Sequence, residues 1–258
     1  FQFTLSTILI VAVMIIYQQV QLIRNTNPGY NKDNVLKITA EGAIAGNETG
    51  FINQLKSIPG IVQASYTQAN IIGHSYAHAN IDWAGRDENN LFYFEAFEGG
   101  YDFIPTLGMK IEKGRNFSKD FGADTANIIL NETAVRAMGL KDPVGKTIEF
   151  FGAPSQIIGI VKDFHFESLH KAVKPAYIAY KPHGGKIIAR INQNNQSATI
   201  DAIREVYQRI NPGFTFTYSF LDEAYQQQYD SETRVAALSK YFAGLAIIIS
   251  CLGLFGLA

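Results

Sequence analysis

One glycine-rich basic segment of the chain has residue types suited to holding a nucleotide phosphate: Gly139-Leu-Lys-Asp-Pro-Val-Gly145-Lys146-Thr147. In a P-loop, four residues separate the two glycines, and the loop follows a strand and opens a helix, so that backbone N–H groups meet the phosphates. Here five residues separate Gly139 from Gly145, and the segment follows a predicted helix and leads into a predicted strand, Thr147–Phe151. We therefore predict a turn rather than a nucleotide site.

A second candidate is a cluster of potential metal ligands in Val161-Lys-Asp163-Phe-His165-Phe-Glu-Ser-Leu-His170. A metal ion needs three or four ligands converging at about 2 Å, usually with one ligand from elsewhere in the chain. The remaining histidines have no recognisable ligand spacing relative to this segment. We interpret His165 and His170 as surface or hydrogen-bonding residues and predict no metal site; the other histidines are His74, His78 and His183.

Other side chains of active-site type also favour structural roles. The carboxylate pairs Asp87-Glu88 and Asp222-Glu223 are adjacent, so their side chains diverge and are typical of turns and caps. No nucleophile with a matching base can be assembled from the spacing. We predict a chain that is not an enzyme, with no catalytic residue and no cofactor. A group of aromatic residues can line a ligand groove, but core packing is the simpler interpretation: Trp83, Phe92, Tyr93 and Phe94.

The composition excludes a nucleic-acid-binding protein and a disulfide-bonded scaffold. The 258 residues carry a formal net charge of −1, and their 22 basic residues are spread along the chain, which gives no electrostatic footprint for nucleic acid. The single cysteine, Cys251, lies in an apolar run, so no disulfide forms within the chain.

The two ends of the chain are free of charged residues, over Phe1–Ile23 and Tyr241–Ala258. As a helix, the second run would rise about 27 Å, close to the roughly 30 Å hydrocarbon core of a bilayer. We predict truncated transmembrane helices at 1–23 and 241–258, because the chain starts and stops inside the apolar runs. The side chains that we expect in the membrane are Leu5, Ile8, Val11, Ile15, Leu245, Ile248, Leu252 and Phe255.

Between the ends, a strand–helix–strand pattern occurs twice. The first copy has a strand at Asn34–Glu41, a helix capped by Thr49, a Pro59-Gly60 stop and a strand at Ile61–Thr67. The helix places its apolar side chains on one face, and the strands are bounded by turn residues.

The second copy follows over 100 residues later. It has a strand at Lys186–Asn192, a helix capped by Ser197, a Pro212-Gly213 stop and a strand at Phe214–Phe220, in which aromatic and hydroxyl side chains alternate. We predict an α+β fold of two split βαβ units with an inserted β-rich subdomain. The α/β subdomain covers 24–69 and 184–222, and the insertion covers 70–183.

A proline-free segment then leads to the last apolar run. Asp222 is a plausible N-cap, and Glu223 suits the first helical turn. A helix from Glu223 to Ala258 would be about 54 Å long, and we predict that its first part, 223–240, is a stalk that carries motion between the domain and the membrane. The alternative is two helices with a hinge near Ser239 or Gly244. The stalk residues we single out are Asp222, Glu223, Tyr229, Val235 and Leu238.

Several segments together resemble the MacB-like periplasmic core domain of FtsX-type ABC-transporter permeases. Singly they are weak, but their order and spacing between residues 29 and 175, with apolar runs on both sides, make the resemblance specific. They are Asn27–Leu36 (NPGYNKDNVL), Gly114–Ser118 (GRNFS), Ile129–Ala134 (ILNETA), Asp142–Lys146 (DPVGK) and Ile158–Phe166 (IGIVKDFHF), followed by Ser168-Leu169-His170 and Pro175.

The resemblance implies a permease subunit that lacks ATPase activity. Its partners would be a separate cytoplasmic ATPase, a second copy or paired permease half, and the lipid bilayer, with no nucleic acid. The subunit would be a multi-pass protein of the bacterial inner membrane, with a porter-like subdomain and a β-rich insertion in the periplasm. It would couple ATP-driven helix motion to export or extraction of a peptide, drug or lipoprotein. The alternative functions are the extracytoplasmic ligand-sensing domain of a two-span receptor and a membrane-tethered enzyme.

Overall fold

The computed structural model describes the chain apart from residues 1, 75, 80, 88–90, 123 and 256–258, and apart from some further side chains in its first and last helices. The chain divides into a helical unit, Phe1–Asn27 with Gln226–Ala258, and a sheet unit, Pro28–Tyr225. In chain order the elements are α1 (Gln2–Asn25), β1 (Val35–Thr39), α2 (Glu48–Lys56), β2 (Ile61–Thr67), β3 (Ala77–His78), β4 (Ile81–Asp82), β5 (Phe94–Gly99), α3 (Phe103–Leu107), β6 (Ile111–Gly114), β7 (Asn127–Asn131), α4 (Glu132–Met138), β8 (Thr147–Phe150), β9 (Ala153–Val161), β10 (Ala176–Tyr180), β11 (Lys186–Ile191), α5 (Gln196–Ile210), β12 (Tyr218–Phe220), α6 (Leu221–Gln227) and α7 (Asp230–Phe255), with short 3-10 turns at Gly42–Ile44, Lys119–Phe121 and Asp124–Ala126.

The helical unit consists chiefly of α1 and α7, which pack against each other. The Lys240 ammonium lies 4.7 Å from the centre of the Tyr17 ring. Among the residues that the structure describes, no helix combines the length and the hydropathy needed to cross a membrane. The side chain of Leu5 lies outside the described part. The other apolar residues singled out in the two runs are exposed: Ile8, Val11, Ile15, Leu245, Ile248, Leu252 and Phe255.

The predicted unbroken helix from Glu223 to Ala258 is wrong. Helix α6 ends at Gln227, and α7 begins at Asp230 and continues through both Ser239 and Gly244. At the interruption, the Tyr229 N–H bonds to the Gln226 carbonyl oxygen, three residues back, at 2.9 Å. Such a bond tightens the last turn and ends the helix. Asp230 then opens α7, at a position where an acidic side chain is favourable.

All twelve described strands of the sheet unit belong to one mixed sheet. Its order is β12-β1-β11-β2-β5-β10-β7-β9-β8-β4, with β3 paired to β5 and β6 paired to β9. Strands of the 70–183 segment therefore continue the same sheet that the two repeated units begin.

The two predicted strand–helix–strand units are present, and their strands interleave. Strand β11 lies between β1 and β2, and β1 lies between β11 and β12, with every neighbouring pair antiparallel. Each unit is therefore a split βαβ unit, whose two strands are parallel but separated by one strand of the other unit. The prediction of fold class is confirmed to this extent.

Alternation along the strands divides the core between the two faces of this sheet. On one face, Leu36 and Ile38 of β1 pack in a cluster with Leu55 of α2 and Ile203 of α5. On the other face, Val35 packs in a cluster that includes residues of α3. Burial of each large aliphatic side chain stabilises the fold by roughly 1.5–3 kcal/mol.

Helix starts and one strand length differ from expectation. Helices α2 and α5 begin after Asn47 and Asn195, two residues before the predicted caps Thr49 and Ser197. The predicted strand Phe214–Phe220 is reduced to β12, because β1 pairs only with Tyr218–Phe220. Residues 214–217 have alternating side chains, but no strand in the described part of the chain pairs with them.

The aromatic group is divided between core and surface. Trp83 and Phe94 are buried with Ile128 and Ile157, and the Trp83 indole N–H donates to the Met138 carbonyl oxygen at 3.0 Å. Phe92 packs against the same cluster and Tyr93 is exposed. Core packing is therefore confirmed for Trp83 and Phe94 and is wrong for Tyr93.

Candidate functional site

The chain passes into the sheet unit at Pro28-Gly29, and this point is closely packed. The His165 N–H donates to the Pro28 carbonyl oxygen at 2.6 Å. Gly29 has φ +89°, and a Cβ added there would lie 2.3 Å from the Asp163 carbonyl oxygen. Only glycine allows this backbone to lie against residues 163–165. Two of the sequence segments singled out above therefore meet in space.

Asp163 connects a third segment to this point. Its carboxylate accepts hydrogen bonds from the Thr133 N–H and hydroxyl, both at 2.8 Å, and from the Arg136 guanidinium at 2.6 Å. Its own N–H donates to the Glu132 carboxylate at 3.1 Å. The first turn of α4 is thus bound through Asp163 to the chain that leaves β9.

Asn131, the last residue of β7, is fully buried and is the N-cap of α4. Its side-chain oxygen accepts from the N–H groups of Ala134 and Ala176, each at 2.9 Å, and its amide donates to the Lys174 carbonyl oxygen at 2.9 Å. One side chain therefore caps the helix and binds the start of the central strand β10.

Arg190 of β11 holds the incoming segment from the other side. Its guanidinium donates to the carbonyl oxygens of Thr106, Asn31 and Asp33 at 2.7, 2.9 and 3.2 Å. Burial lowers the pKa of this guanidinium from its ordinary value, and the Asp33 carboxylate opposes that shift. A planar group with five donors can bind several carbonyl oxygens at once, which an ammonium cannot do in the same geometry.

The outgoing chain leaves beside the incoming one. Strand β12 pairs with β1, with Leu36 opposite Phe220. Leu221 is buried in the same core cluster as Tyr30, and the Lys32 ammonium lies 5.2 Å from the centre of the Tyr225 ring. Both connections of the sheet unit to the rest of the chain therefore start from adjacent strands. We call this region, formed by residues 28–33, 163–165, 190 and 221–225, the connection site.

The predicted stalk residues do not form one cluster. Helix α6 starts at Leu221, so Asp222 is not the N-cap but a first-turn residue, whose carboxylate accepts from the Glu223 N–H at 2.9 Å. Glu223 accepts from the Phe220 N–H at 3.4 Å. Tyr229 is buried, whereas Val235 and Leu238 are exposed on α7.

The glycine-rich segment 139–147 and the histidine-containing segment 161–170 both contribute backbone hydrogen bonds to the fold. Gly139 ends α4 in the left-handed conformation, and the Lys146 N–H bonds to the Pro143 carbonyl oxygen at 3.0 Å, which confirms the predicted turn. Near Asp163, the contribution of His165 to the connection site is its backbone N–H. Among the described residues, no three His, Cys, Asp or Glu side chains are placed to bind a metal ion.

Reasoning from sequence did not identify Arg190 as a residue of the connection site, and it did not predict that Asn131 is fully buried. Arg190 interrupts the apolar run Ile187-Ile188-Ala189 of β11 before Ile191, and a charge within such a run indicates a specific partner. Asn131 stands between an apolar strand and a helix, and this position indicates a helix cap. It does not indicate the bonds of the same side chain to Ala176 and Lys174.

Comparisons with known proteins agree with this architecture. The periplasmic region of MacB from Actinobacillus actinomycetemcomitans superimposes with a TM-score of 0.53 at 18% identity, covering 76% of this chain and 93% of that chain. The extracellular domain of the noncanonic ABC-type transporter YknZ from Gram-positive bacteria gives a TM-score of 0.51 at 14% identity, covering 72% and 99%. At these identities the likeness shows a shared fold. No curated protein matches the chain.

The family described as the MacB-like periplasmic core domain matches residues 4–206. This match covers most of the chain, including every residue of the connection site before α6. The chain therefore belongs to the family of MacB-like periplasmic core domains, which are domains of ABC-transporter permeases.

Proposed function

We propose that this chain is the periplasmic domain, with its two membrane anchors, of a permease subunit that converts ATP-driven helix motion into export or extraction of a peptide, drug or lipoprotein. The subunit would lie in the bacterial inner membrane as a multi-pass protein. It would act with a separate cytoplasmic ATPase, as a homodimer or with a paired permease half. The observation that carries the proposal is the connection site, where both links to the helices start from adjacent, strongly bonded strands.

The membrane anchors are supported by the sequence of the two ends. Residues 1–23 and 241–258 contain no charged side chain. Apolar side chains such as Ile8, Ile248 and Phe255 are exposed on α1 and α7, where water would be an unfavourable surrounding. The first run also includes Phe3, Leu5 and Leu9, whose side chains lie outside the described part and which add to its hydropathy.

The mechanical role is supported by the stiffness of the attachment. A displacement of the incoming chain would act on Pro28 and Gly29, which are bound to residues 163–165, and on Asn31, which is bound to Arg190. A displacement of the outgoing chain would act on β12, which is bonded to β1. Packed strands transmit such displacements because protein interiors are close-packed and compress little.

Because of the break between α6 and α7, the outgoing link consists of two helices and is not one continuous rod. A lever can still act through α7, because the helix from Asp230 to Phe255 is regular over its described length. We expect that a proline within α7, between the apolar run and the break, uncouples the two parts, because proline removes a backbone hydrogen bond and kinks a helix.

A pair of spin labels tests this coupling in the intact permease with its ATPase in detergent. One label is attached to the native Cys251 of α7, which is exposed, and the other to a cysteine introduced by Lys141→Cys, an exposed position of the sheet unit. We expect the distance between the labels to change between the ADP state and the vanadate-trapped state. Val235→Pro should abolish this change while ATP hydrolysis persists, and Val235→Ala is the matched control.

Two outcomes would refute the proposal. An unchanged response in Val235→Pro would exclude α7 as the coupling element. Complete extraction of the intact protein from membranes by alkaline carbonate would exclude the membrane anchors.

A further inference from the structure

The sheet opens at the boundary between the repeated units and the 70–183 segment. Strands β2 and β5 pair at a single position, Thr67 with Gly99, and the Gly100 N–H then bonds to the Tyr66 carbonyl oxygen at 3.1 Å. Beyond this bond the chain turns away into α3, so no strand among the described residues pairs with the rest of β2 on that side. A cleft of about 290 Å³ lies at this opening. We call it the seam cleft, and it is lined by Thr49, Ile52, Asn53, Lys56, Ala64, Ser65, Tyr66, Gly100, Tyr101, Asp102, Lys119 and Tyr180.

One wall of the seam cleft is aromatic. The rings of Tyr101 and Tyr180 stack with their centres 4.2 Å apart at an angle of 29°. Tyr66 forms part of the floor and donates its hydroxyl hydrogen to the Lys181 carbonyl oxygen at 2.9 Å. Burial, with a contribution from Tyr180, raises the pKa of Tyr101 to about 12, so this phenol is neutral at physiological pH.

Charge in the seam cleft is unbalanced. The Lys56 ammonium is neutralised by Asp102 at 2.5 Å. Lys119 lies 5.7 Å from the centre of the Tyr101 ring and forms no ion pair with any described residue. The described charged residues of the lining, two lysines and one aspartate, therefore sum to one positive charge, which favours an anionic group near Lys119.

Ser65 adds a polar side chain to the seam cleft. The side chain of Ser65 lines the seam cleft, and the residue is only 2% exposed. Its hydroxyl makes no hydrogen bond with the described part of the protein. A hydroxyl in a cleft lining can donate a hydrogen bond to a polar atom of a ligand or accept one from it.

We propose that the seam cleft binds the carboxyl-terminal end of a peptide whose last side chain is apolar or aromatic. The terminal carboxylate pairs with the Lys119 ammonium, the last side chain packs against the Tyr101–Tyr180 stack, and the Ser65 hydroxyl bonds to a polar atom of the peptide. The cleft has room for one or two residues, and its open side lets the preceding chain continue into solvent. This binding does not depend on coupling to membrane helices.

The test uses the full chain in detergent micelles and ¹⁹F NMR titration of N-acetyl-glycyl-4-fluorophenylalanine. We expect the free acid to bind about three- to tenfold more tightly than its C-terminal amide, as one partly exposed charge-assisted bond allows. Lys119→Gln should remove this difference and leave binding of the amide unchanged. Lys141→Gln, at an exposed lysine outside the cleft, is the matched control, and Tyr180→Leu should weaken binding of both probes.

Three results would overturn the proposal. Equal affinity of acid and amide would exclude the carboxylate contact, and unchanged acid binding by Lys119→Gln would exclude the assigned lysine. Binding of 4-fluorophenylpropionate as tight as that of the dipeptide would show a site for small carboxylates and not for a peptide end.

Discussion

The Arg190 guanidinium lies 2.9 Å from the carbonyl oxygen of Asn31, a residue 159 positions away in the chain. The same side chain binds the carbonyl oxygens of Asp33 and Thr106. Strand β11 therefore holds the segment through which the chain joins the sheet unit. This bond connects the second split βαβ unit to the start of the first.

Replacing Arg190 with lysine should destabilise the sheet unit by about 1–3 kcal/mol, because one ammonium cannot satisfy three carbonyl oxygens in this geometry. The measurement is urea unfolding followed by fluorescence of Trp83, the only tryptophan, which is buried in the sheet unit.

The matched control is Arg204→Lys on the exposed side of α5, where Arg204 pairs with Asp201 one helical turn away. This variant should change the free energy of unfolding by less than about 0.5 kcal/mol. Equal urea midpoints for the Arg190 and Arg204 variants would contradict the assigned role of Arg190.

Replacing Gly29 with alanine should destabilise the sheet unit by about 3 kcal/mol or more. The new Cβ would lie 2.3 Å from the Asp163 carbonyl oxygen, so the backbone would have to shift. Gly46→Ala is the control, since Gly46 has a similar φ of +82° but no heavy atom within 4 Å of an added Cβ. It should cost only about 1–2 kcal/mol from the left-handed backbone. Thermal unfolding of both variants measures the difference, and similar melting temperatures would exclude the close approach at Gly29.

Asp124 should make the sheet unit sensitive to acid. Burial alone would raise the pKa of this carboxyl, but hydrogen bonds from Arg115, the Ser118 N–H and Asn127 outweigh burial and hold the pKa below its ordinary value of 3.8. A lowered folded-state pKa stabilises the protein above the unfolded-state value, and this contribution is lost as pH falls through the folded-state pKa. We therefore expect the Asp124 contribution to be complete at neutral pH and to fall below about pH 4.

The measurement is the free energy of unfolding between pH 7 and pH 2 for the wild type and Asp124→Asn. The variant should be less stable at pH 7, and the difference between the two proteins should shrink below about pH 4. Asp201→Asn, at an exposed residue of α5, is the control. A difference that stays constant with pH would show that Asp124 does not titrate with a lowered pKa.

Replacing Asn131 with alanine should cost about 2–4 kcal/mol, because it removes the cap of α4 and leaves the Ala176 N–H and the Lys174 carbonyl oxygen without this partner. Asn127→Ala, one strand length earlier, removes a single bond to Asp124 and is the control. Urea unfolding compares them, and an equal loss in both variants would contradict the central role of Asn131.

Local sequence was sufficient for the elements whose pattern is local. The repeated strand–helix–strand units could be predicted because helix periodicity, strand alternation and Pro-Gly stops all act within about 20 residues. The same reasoning did not find β10 (Ala176–Tyr180). This strand is buried between β5 and β7, so its sequence does not alternate between apolar and polar residues.

The break between α6 and α7 shows a different limit. The sequence from Glu223 to Ala258 contains no proline and predicts a continuous helix. The Tyr229 N–H instead bonds to Gln226, and both Tyr225 and Tyr229 are buried. The burial of each tyrosine depends on the folded chain, and it has no signature in the periodicity of the segment.

The sequence by itself determined the charge-free ends, the α+β class, the two repeated units and the family resemblance, because each follows from the order of residue types along the chain. Only the tertiary structure decided that β11 lies between β1 and β2, and hence that Arg190 reaches Asn31 and that Asp163 reaches Thr133. These bonds join residues that are far apart in sequence, so their geometry depends on strand order and register. The seam cleft has the same origin, since it exists where β2 and β5 cease to pair.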